Sequence, residues 1–448
     1  MKATTLESKF PLLAVENGCI VSKEADVTVA FKVELPELFS VTGSEYEAIH
    51  SAWHKAVKVL PDYSIVHKQD FFIEKKYRPE TDKDDLSFLS RSFERHFNER
   101  PFLNHFCYLF LTKTTKVRSR QESTFSTLCK DRIIPKEIED TETVTKFLEA
   151  VGQFEKIMND SGFVTLRRLA TDEITGTERS AGIVEKYFSL SQGDTTVLKD
   201  IQLNPEEMRI GDDFLCLHTL SDTEDLPGKV GMDSRYERLS TDRSDCRLSF
   251  AAPVGLLLDC NHVYNQYIFI DDHTENLKRF EQTSRNMHSL SRYSRSNQIN
   301  KAWIEEYLNE AHSKGLTSVR CHCNVMAWSD DREELRRIKN EVGSQLALME
   351  CKPRYNTVDV PTLFWAAMKK GVISNRNKFV LGPSGSGKSF FMNHLVRQYY
   401  EQNSHIVLID TGNSYQGLCE LIHRKTKGED GIYYTYTEEK PISFNPFF

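Results

Sequence analysis

Apolar and polar positions alternate over VTVAFKVEL, from Val27 to Leu35, which is the period of a half-buried strand. The following stretch opens on Ser44-x-x-Glu47, read as a capping box. It carries Tyr46, Ile49, Trp53, Ala56, Val57 and Leu60 on one stripe, so an amphipathic helix is predicted. YSIVHKQDFFIEKKY (Tyr63 to Tyr77) and FCYLFLTKT (Phe106 to Thr114) read as strands flanking a polar helical segment around Leu89 to Glu99, a pattern that predicts a sheet with helices laid on it. Between Thr141 and Met158, the residues Val144, Phe147, Leu148, Val151, Phe154, Ile157 and Met158 recur at i, i+3, i+4 spacing, which predicts a second amphipathic helix.

The pattern resets near residue 195. IGDDFLCLHTL and RLSFAAPVGLLLDC read as strands separated by a turn-rich stretch from Ser221 to Asp245, giving either a second subdomain or an elaborated sheet. QYIFID (Gln266 to Asp271) predicts a strand, followed by a charged helical region to about His312 and a strand from Thr317 to Trp328. A further helix is predicted from Asp330-x-x-Glu333, supported by Glu333 and Arg337 at i, i+4. The organisation read from this is a mixed α+β domain over residues 1–360, with an internal break near 165–195. A second, α/β domain then occupies 361–448.

Composition narrows the class. The 448 residues carry 58 Lys+Arg against 65 Asp+Glu, a net charge of −7, with 39% hydrophobic residues; this is globular composition, neither fibrous nor disordered. No run approaches the ~18 apolar residues of a membrane span, and the charged opening MKATTLESKF lacks the apolar core of a secretory signal, so an intracellular protein is expected. Ten cysteines without a CxxC pair read as free thiols. Cys321 and Cys323 fall on one face of a strand, where a metal site would need two further ligands.

The feature with the most specific chemistry is Gly382-Pro383-Ser384-Gly385-Ser386-Gly387-Lys388-Ser389, a full GxxxxGK[ST]. It follows the apolar Phe379-Val380-Leu381 and opens a helical pattern from Ser389 to about Gln402. Phe391, Leu395 and Tyr399 share one face of that helix, and HIVLID (His405 to Asp410) reads as the next strand. Strand, glycine loop, helix and strand form the start of a P-loop nucleotide site. The glycines let consecutive backbone N–H groups approach a polyphosphate, Lys388 reaches the β- and γ-phosphates of ATP, and Ser389 gives its hydroxyl to Mg²⁺. Asp410 has two readings, a magnesium ligand of Walker B type or a residue that positions the following loop TGNSYQG. Lys278, Arg279, Arg285, Arg292, Arg295 and Lys301, with Phe280 and Tyr293 interleaved, read as a nucleic-acid track or as a solvated helix face, and the bordering glutamates favour the face. Lys113, Lys116, Arg118 and Arg120 read the same way. His262 and His273 read as packing or surface residues.

GPSGSGKSFFMNHLVRQYYEQ, HIVLIDTGNSYQGLCELI and the closing FNPFF, together with the amino-terminal LESKFPLLAVENGCIVSKEADVTVAFKVELPELF and IGDDFLCLHTLSDTEDLP, resemble the TraG-type conjugation ATPases of Bacteroidetes conjugative transposons. These belong with the larger ATPase of type IV secretion systems and, more distantly, with the HerA/FtsK translocases. The resemblance implies an amino-terminal docking domain and a RecA-like motor that assembles as a hexamer. It implies location in the cytoplasm at the inner membrane, with inner-membrane channel components as partners, and ATP hydrolysis that drives channel assembly or substrate movement. It also implies a Walker B strand past Phe448 and an internal deletion at Met368, hence a truncated ATPase whose hydrolysis is open. A nonhydrolysing interaction module is the alternative. A kinase or GTPase is disfavoured, because no NKxD-like base-reading motif is present.

Overall fold

The computed structural model describes residues 10–23, 25–37, 41–77, 87–114, 141–193, 199–204, 207–221, 223–227, 230, 234–235, 247–248, 250–290, 294–314, 316, 318–357, 360–368, 388–401, 406, 408, 413–428 and 430–435. The chain divides into two compact units, Met1–Gln121 with Ile134–Ser374, and Glu122–Ile133 with Asn375–Phe448.

The first unit is organised by a twelve-stranded sheet in which every pairing is antiparallel. Strands β1 (Leu12–Glu16) and β2 (Cys19–Ser22) form a hairpin. Asn17 and Gly18 at its tip both have positive φ, the conformation for which Asn-Gly is suited. β3 (Val27–Glu34) leads into helix α1 (Gly43–Lys58), and the long strands β4 (Ser64–Lys76) and β5 (Pro101–Lys113) flank α2 (Phe88–Asn98). Next come α3 (Thr141–Asp160), β6 (Thr165–Arg168), α4 (Thr171–Thr175), α5 (Ile183–Phe188), β7 (Ile201–Leu203), β8 (Met208–Ile210) and β9 (Asp213–Leu220). A two-residue pair, β10 (Ser234–Arg235) and β11 (Arg247–Leu248), precedes α6 (Ala252–Leu256). β12 (His262–Ile270), the helices α7 (His273–Leu290) and α8 (Arg295–Lys314), β13 (Val319–Ser329), α9 (Arg332–Leu348), β14 (Arg354–Asn356) and α10 (Val360–Met368) complete the unit.

The sheet runs β1-β2-β3-β5-β4-β12-β13-β9-β8-β7, with β6 on β3 and β14 on β9. Alternation decides which side chains each layer receives. On one face Phe31, Val66, Leu109 and Leu111 meet α1 and α3 through Ala56, Phe147, Val151 and Phe154. On the same face Val325, Ala327 and Cys216 meet Ile338, Val342 and Leu346 of α9. The opposite face packs Phe71, Phe110, Val263 and Trp328 with Tyr187 and Phe188 of α5 and Phe364 of α10. Phe364 stacks on Tyr187 at 5.0 Å, and the Tyr187 hydroxyl donates to the Phe364 carbonyl at 3.0 Å. The contact division therefore falls after Ser374, downstream of residue 360, because α10 is buried in the first unit's core.

Several local expectations shift. Helix α1 is capped by Thr42 rather than Ser44: the Glu45 N–H donates to the Thr42 hydroxyl at 3.4 Å while the Thr42 N–H donates to the Glu45 carboxylate at 2.7 Å. RLSFAAPVGLLLDC is not one strand; it holds β11 and then α6, with Pro253 in the helix's first turn, a position that tolerates the missing N–H. The stretch around IGDDFLCLHTL belongs to the elaborated sheet, since β9 pairs with β13 along Phe214 to Leu220. Helix α9 is capped by Asp331, and Arg337 pairs with Glu334, Glu341 and Asp259, whereas Glu333 pairs with Arg336. Helix α2 buries none of its residues, so it is not laid on the sheet. No helix among the described residues is long and apolar enough to cross a membrane.

Candidate functional site

Of the sequence-predicted phosphate site, Gly382, Pro383, Ser384, Gly385, Ser386, Gly387 and the candidate magnesium ligand Asp410 lie outside the described residues, as do the Phe379–Leu381 strand and the shared face of Phe391, Leu395 and Tyr399. The second unit does describe the helix that the motif predicts. Helix α11 spans Lys388–Glu401, so its first two residues are the motif's lysine and serine, and Ser389 is exposed in its first turn. The positive end of a fourteen-residue helix, whose first turn has N–H groups without intrahelical partners, thus begins where GxxxxGK[ST] places it, a fit to a polyanion such as a nucleoside triphosphate.

Asn393, four residues into that helix from Ser389, was not singled out by motif reading. Its Nδ2 donates to the Ser389 carbonyl and to the Ser414 carbonyl, each at 2.9 Å. Ser414 belongs to TGNSYQG, so one amide side chain ties that loop to the first turn of the P-loop helix. The loop is further held where the Tyr433 hydroxyl donates to Asn413 Oδ1 at 2.8 Å. The last two residues of TGNSYQG open helix α12 (Gln416–Lys425). The sequence signal for this was an Asn one turn into the helix, a residue type suited to bonding backbone carbonyls.

The weaker candidates resolve into packing. Arg285 pairs with Glu281 at 3.4 Å and Lys301 with Glu305 at 3.3 Å, the solvated helix face favoured for that cluster; Arg292 and Tyr293 lie outside the described residues. Lys113 donates to the Asp62 carbonyl and lies over the Tyr63 ring, while 116, 118 and 120 are not described. His262 is fully buried, its ring nitrogen Nδ1 2.8 Å from the Cys260 carbonyl, and burial pushes its pKa down to about 4. Cys321 and Cys323 share a strand face as expected, with their sulfurs 3.8 Å apart, but gather no third ligand among the described residues.

Residues 352–448 match the TraG P-loop domain. The chain carries a TraG-type P-loop domain. Residues 1–51 match a domain of unknown function described from a B. Theta gene (DUF3875), which supports the Bacteroidetes setting of the resemblance. No curated protein matches the chain. The two matches sit on the carboxy-terminal stretches and the first amino-terminal stretch that carried the likeness to TraG-type conjugation ATPases, and the P-loop match supports a conjugation-related P-loop ATPase.

Proposed function

We propose that the chain is the ATP-binding component of a conjugative type IV secretion apparatus and uses ATP hydrolysis to energise channel assembly or the transfer of DNA or protein. The observation that carries this reading is GPSGSGKS running directly into Lys388–Glu401 within the TraG P-loop match. Gly382 through Gly387 would wrap the phosphates with backbone N–H groups, Lys388 would neutralise the β- and γ-oxygens, and Ser389 would hold Mg²⁺ with its exposed hydroxyl. A magnesium ion held there would supply charge neutralisation on the phosphate oxygens. Asp410 is proposed as a second magnesium contact. In this reading the chain works as a homo-oligomer, a hexamer in the full-length family, on the cytoplasmic side of the inner membrane against channel components.

The test is titration calorimetry of Mg–ATP into the whole chain, with Lys388→Ala as comparison and phosphate release followed in parallel. Losing a charged phosphate contact is expected to weaken binding by about 1.5–3 kcal/mol, roughly ten- to a hundred-fold. Equal affinity in the two proteins would remove Lys388 from the site. Binding that Lys388→Ala weakens, without phosphate release from either protein, would leave a nucleotide-binding interaction module in place of a motor.

A further inference from the structure

The first unit contains a cavity of about 1470 Å³ on the sheet face that carries α1. Trp53 and His54 of α1 line one side, residues near α6 line another, and strands β4, β5 and β12 form the floor. On that floor Asp70 of β4 stands directly across the ladder from Cys107 of β5, and His105 precedes Cys107 by two residues, so all three project to the same face. His105 Nε2 lies 2.9 Å from Asp70 Oδ1, and one ligand atom from each of Asp70, His105 and Cys107 falls within 4.8 Å of the others. Asp70 and Cys107 are buried, whereas the His105 side chain is 37% exposed, leaving an open side toward the cavity. The His105 ring stacks on Phe72 at 4.6 Å, and Phe72 stacks in turn on His262 at 4.6 Å, so packing orients the imidazole.

We propose that Asp70, His105 and Cys107 form a site for a divalent transition metal of the Zn²⁺ class, with a fourth position facing the cavity. Imidazole nitrogen, thiolate sulfur and carboxylate oxygen are the donors that zinc takes, and two ligands at i and i+2 of one strand plus a third from its neighbour approach a metal from three sides. Calcium and magnesium are disfavoured by the nitrogen and sulfur donors. Ligand atoms bound at about 2.0–2.1 Å around a tetrahedral ion stand roughly 3.3 Å apart, so the His105–Asp70 pair has to open by only a few tenths of an ångström.

Lys68 sets the competition. Two residues before Asp70 on the same strand face, its ammonium pairs with Asp70 Oδ2 at 2.5 Å. Metal and ammonium therefore contend for one carboxylate, and binding turns the Lys68 side chain toward the cavity that it lines. Burial beside Asp70 holds Cys107 as the neutral thiol; forming the metal–sulfur bond releases that proton to solvent.

The experiment strips the full chain with chelator, adds Co²⁺ or Zn²⁺ without nucleotide, and measures metal retained after gel filtration together with the cobalt absorption spectrum. One equivalent is expected, with a thiolate-to-cobalt charge-transfer band that disappears in Cys107→Ser. His105→Gln is expected to weaken binding 10–100-fold, and Lys68→Met to strengthen it about tenfold by removing the competing cation. Substoichiometric metal, or a charge-transfer band that survives Cys107→Ser, overturns the site and leaves Lys68–Asp70 as a structural pair. Should Lys68→Met fail to fold, His105→Gln, at a partly exposed position, decides the matter: unchanged metal affinity in that folded variant overturns the proposal.

Discussion

Replacing Phe364 with alanine tests where the first unit ends. The side chain is 1% exposed, stacked on Tyr187 at 5.0 Å and in ring contact with Phe188 at 6.4 Å and Trp365 at 5.4 Å. Emptying a fully buried phenylalanine site costs about 3–5 kcal/mol. The lost aromatic pairs, each worth about 0.5–1.5 kcal/mol, are contained in that measured range and place this site in its middle, so roughly 4 kcal/mol is expected. All four tryptophans, Trp53, Trp303, Trp328 and Trp365, fall in the first unit, so tryptophan fluorescence during urea unfolding reports on that unit alone. With a denaturant slope of roughly 3 kcal/mol per molar for a unit of this size, the midpoint is expected to fall by a little more than 1 M. A shift under about 0.3 M would refute the reasoning: α10 would then contribute nothing to that core, and the unit would end before residue 360. Phe364→Leu, which keeps most of the apolar volume but loses the stacked ring, is expected to fall between wild type and alanine.

Thr42→Ala removes the hydroxyl half of the capping box and is expected to cost about 1 kcal/mol by the same fluorescence assay, whereas Ser44→Ala, outside the reciprocal pair, is expected to cost clearly less. Acid should weaken the first unit through His262. Burial depresses its folded pKa to about 4 against about 6.5 unfolded, so the unfolded chain binds the extra proton. The full stability is present above about pH 6.5 and is lost progressively as pH falls toward 4, by an amount on the order of 3 kcal/mol. His262→Gln, which carries no titrating ring, should flatten urea midpoints measured over that window; an unchanged slope would show that other groups set it. At the nucleotide site, Asn393→Ala is expected to leave α11 helical while freeing the loop at Ser414, read as faster hydrogen exchange over residues 413–415 with exchange in the helix interior unchanged.

The strands and helices visible in the sequence were those whose pattern follows from a single face. VTVAFKVEL was legible as a strand, but only its outer end is half-buried, with Lys32 and Glu34 exposed beside Val33; Val27–Phe31 are buried on both faces, between Ala30 in one core layer and Val29 and Phe31 in the other, while the 141–158 stripe is apolar because Phe147, Val151 and Phe154 fill the layer of Val29 and Phe31. The phosphate motif was legible for a different reason: its chemistry is local, a lysine and a serine at fixed offsets from three glycines, and the helix begins at Lys388 as that spacing requires. The glycine loop itself and Asp410 lie outside the described residues, so for them the sequence remains the source.

Tertiary structure decided what depends on neighbours remote in sequence. RLSFAAPVGLLLDC is apolar enough for a buried strand, but a short apolar run reads alike for strand and helix, and the segment closes as α6 with Val254 buried among α9 residues. The helix cap is a local exception: Thr42 outcompetes Ser44 because Glu45, three residues on, reaches back to its N–H, and the two candidate boxes differ by only two positions. The ladder that sets Asp70 opposite Cys107, with His105 on the same face, joins residues more than thirty positions apart, and no short-range motif encodes that register. Periodicity and local chemistry belong to the sequence; the pairing of strands, and the cavity floor it builds, belong to the fold.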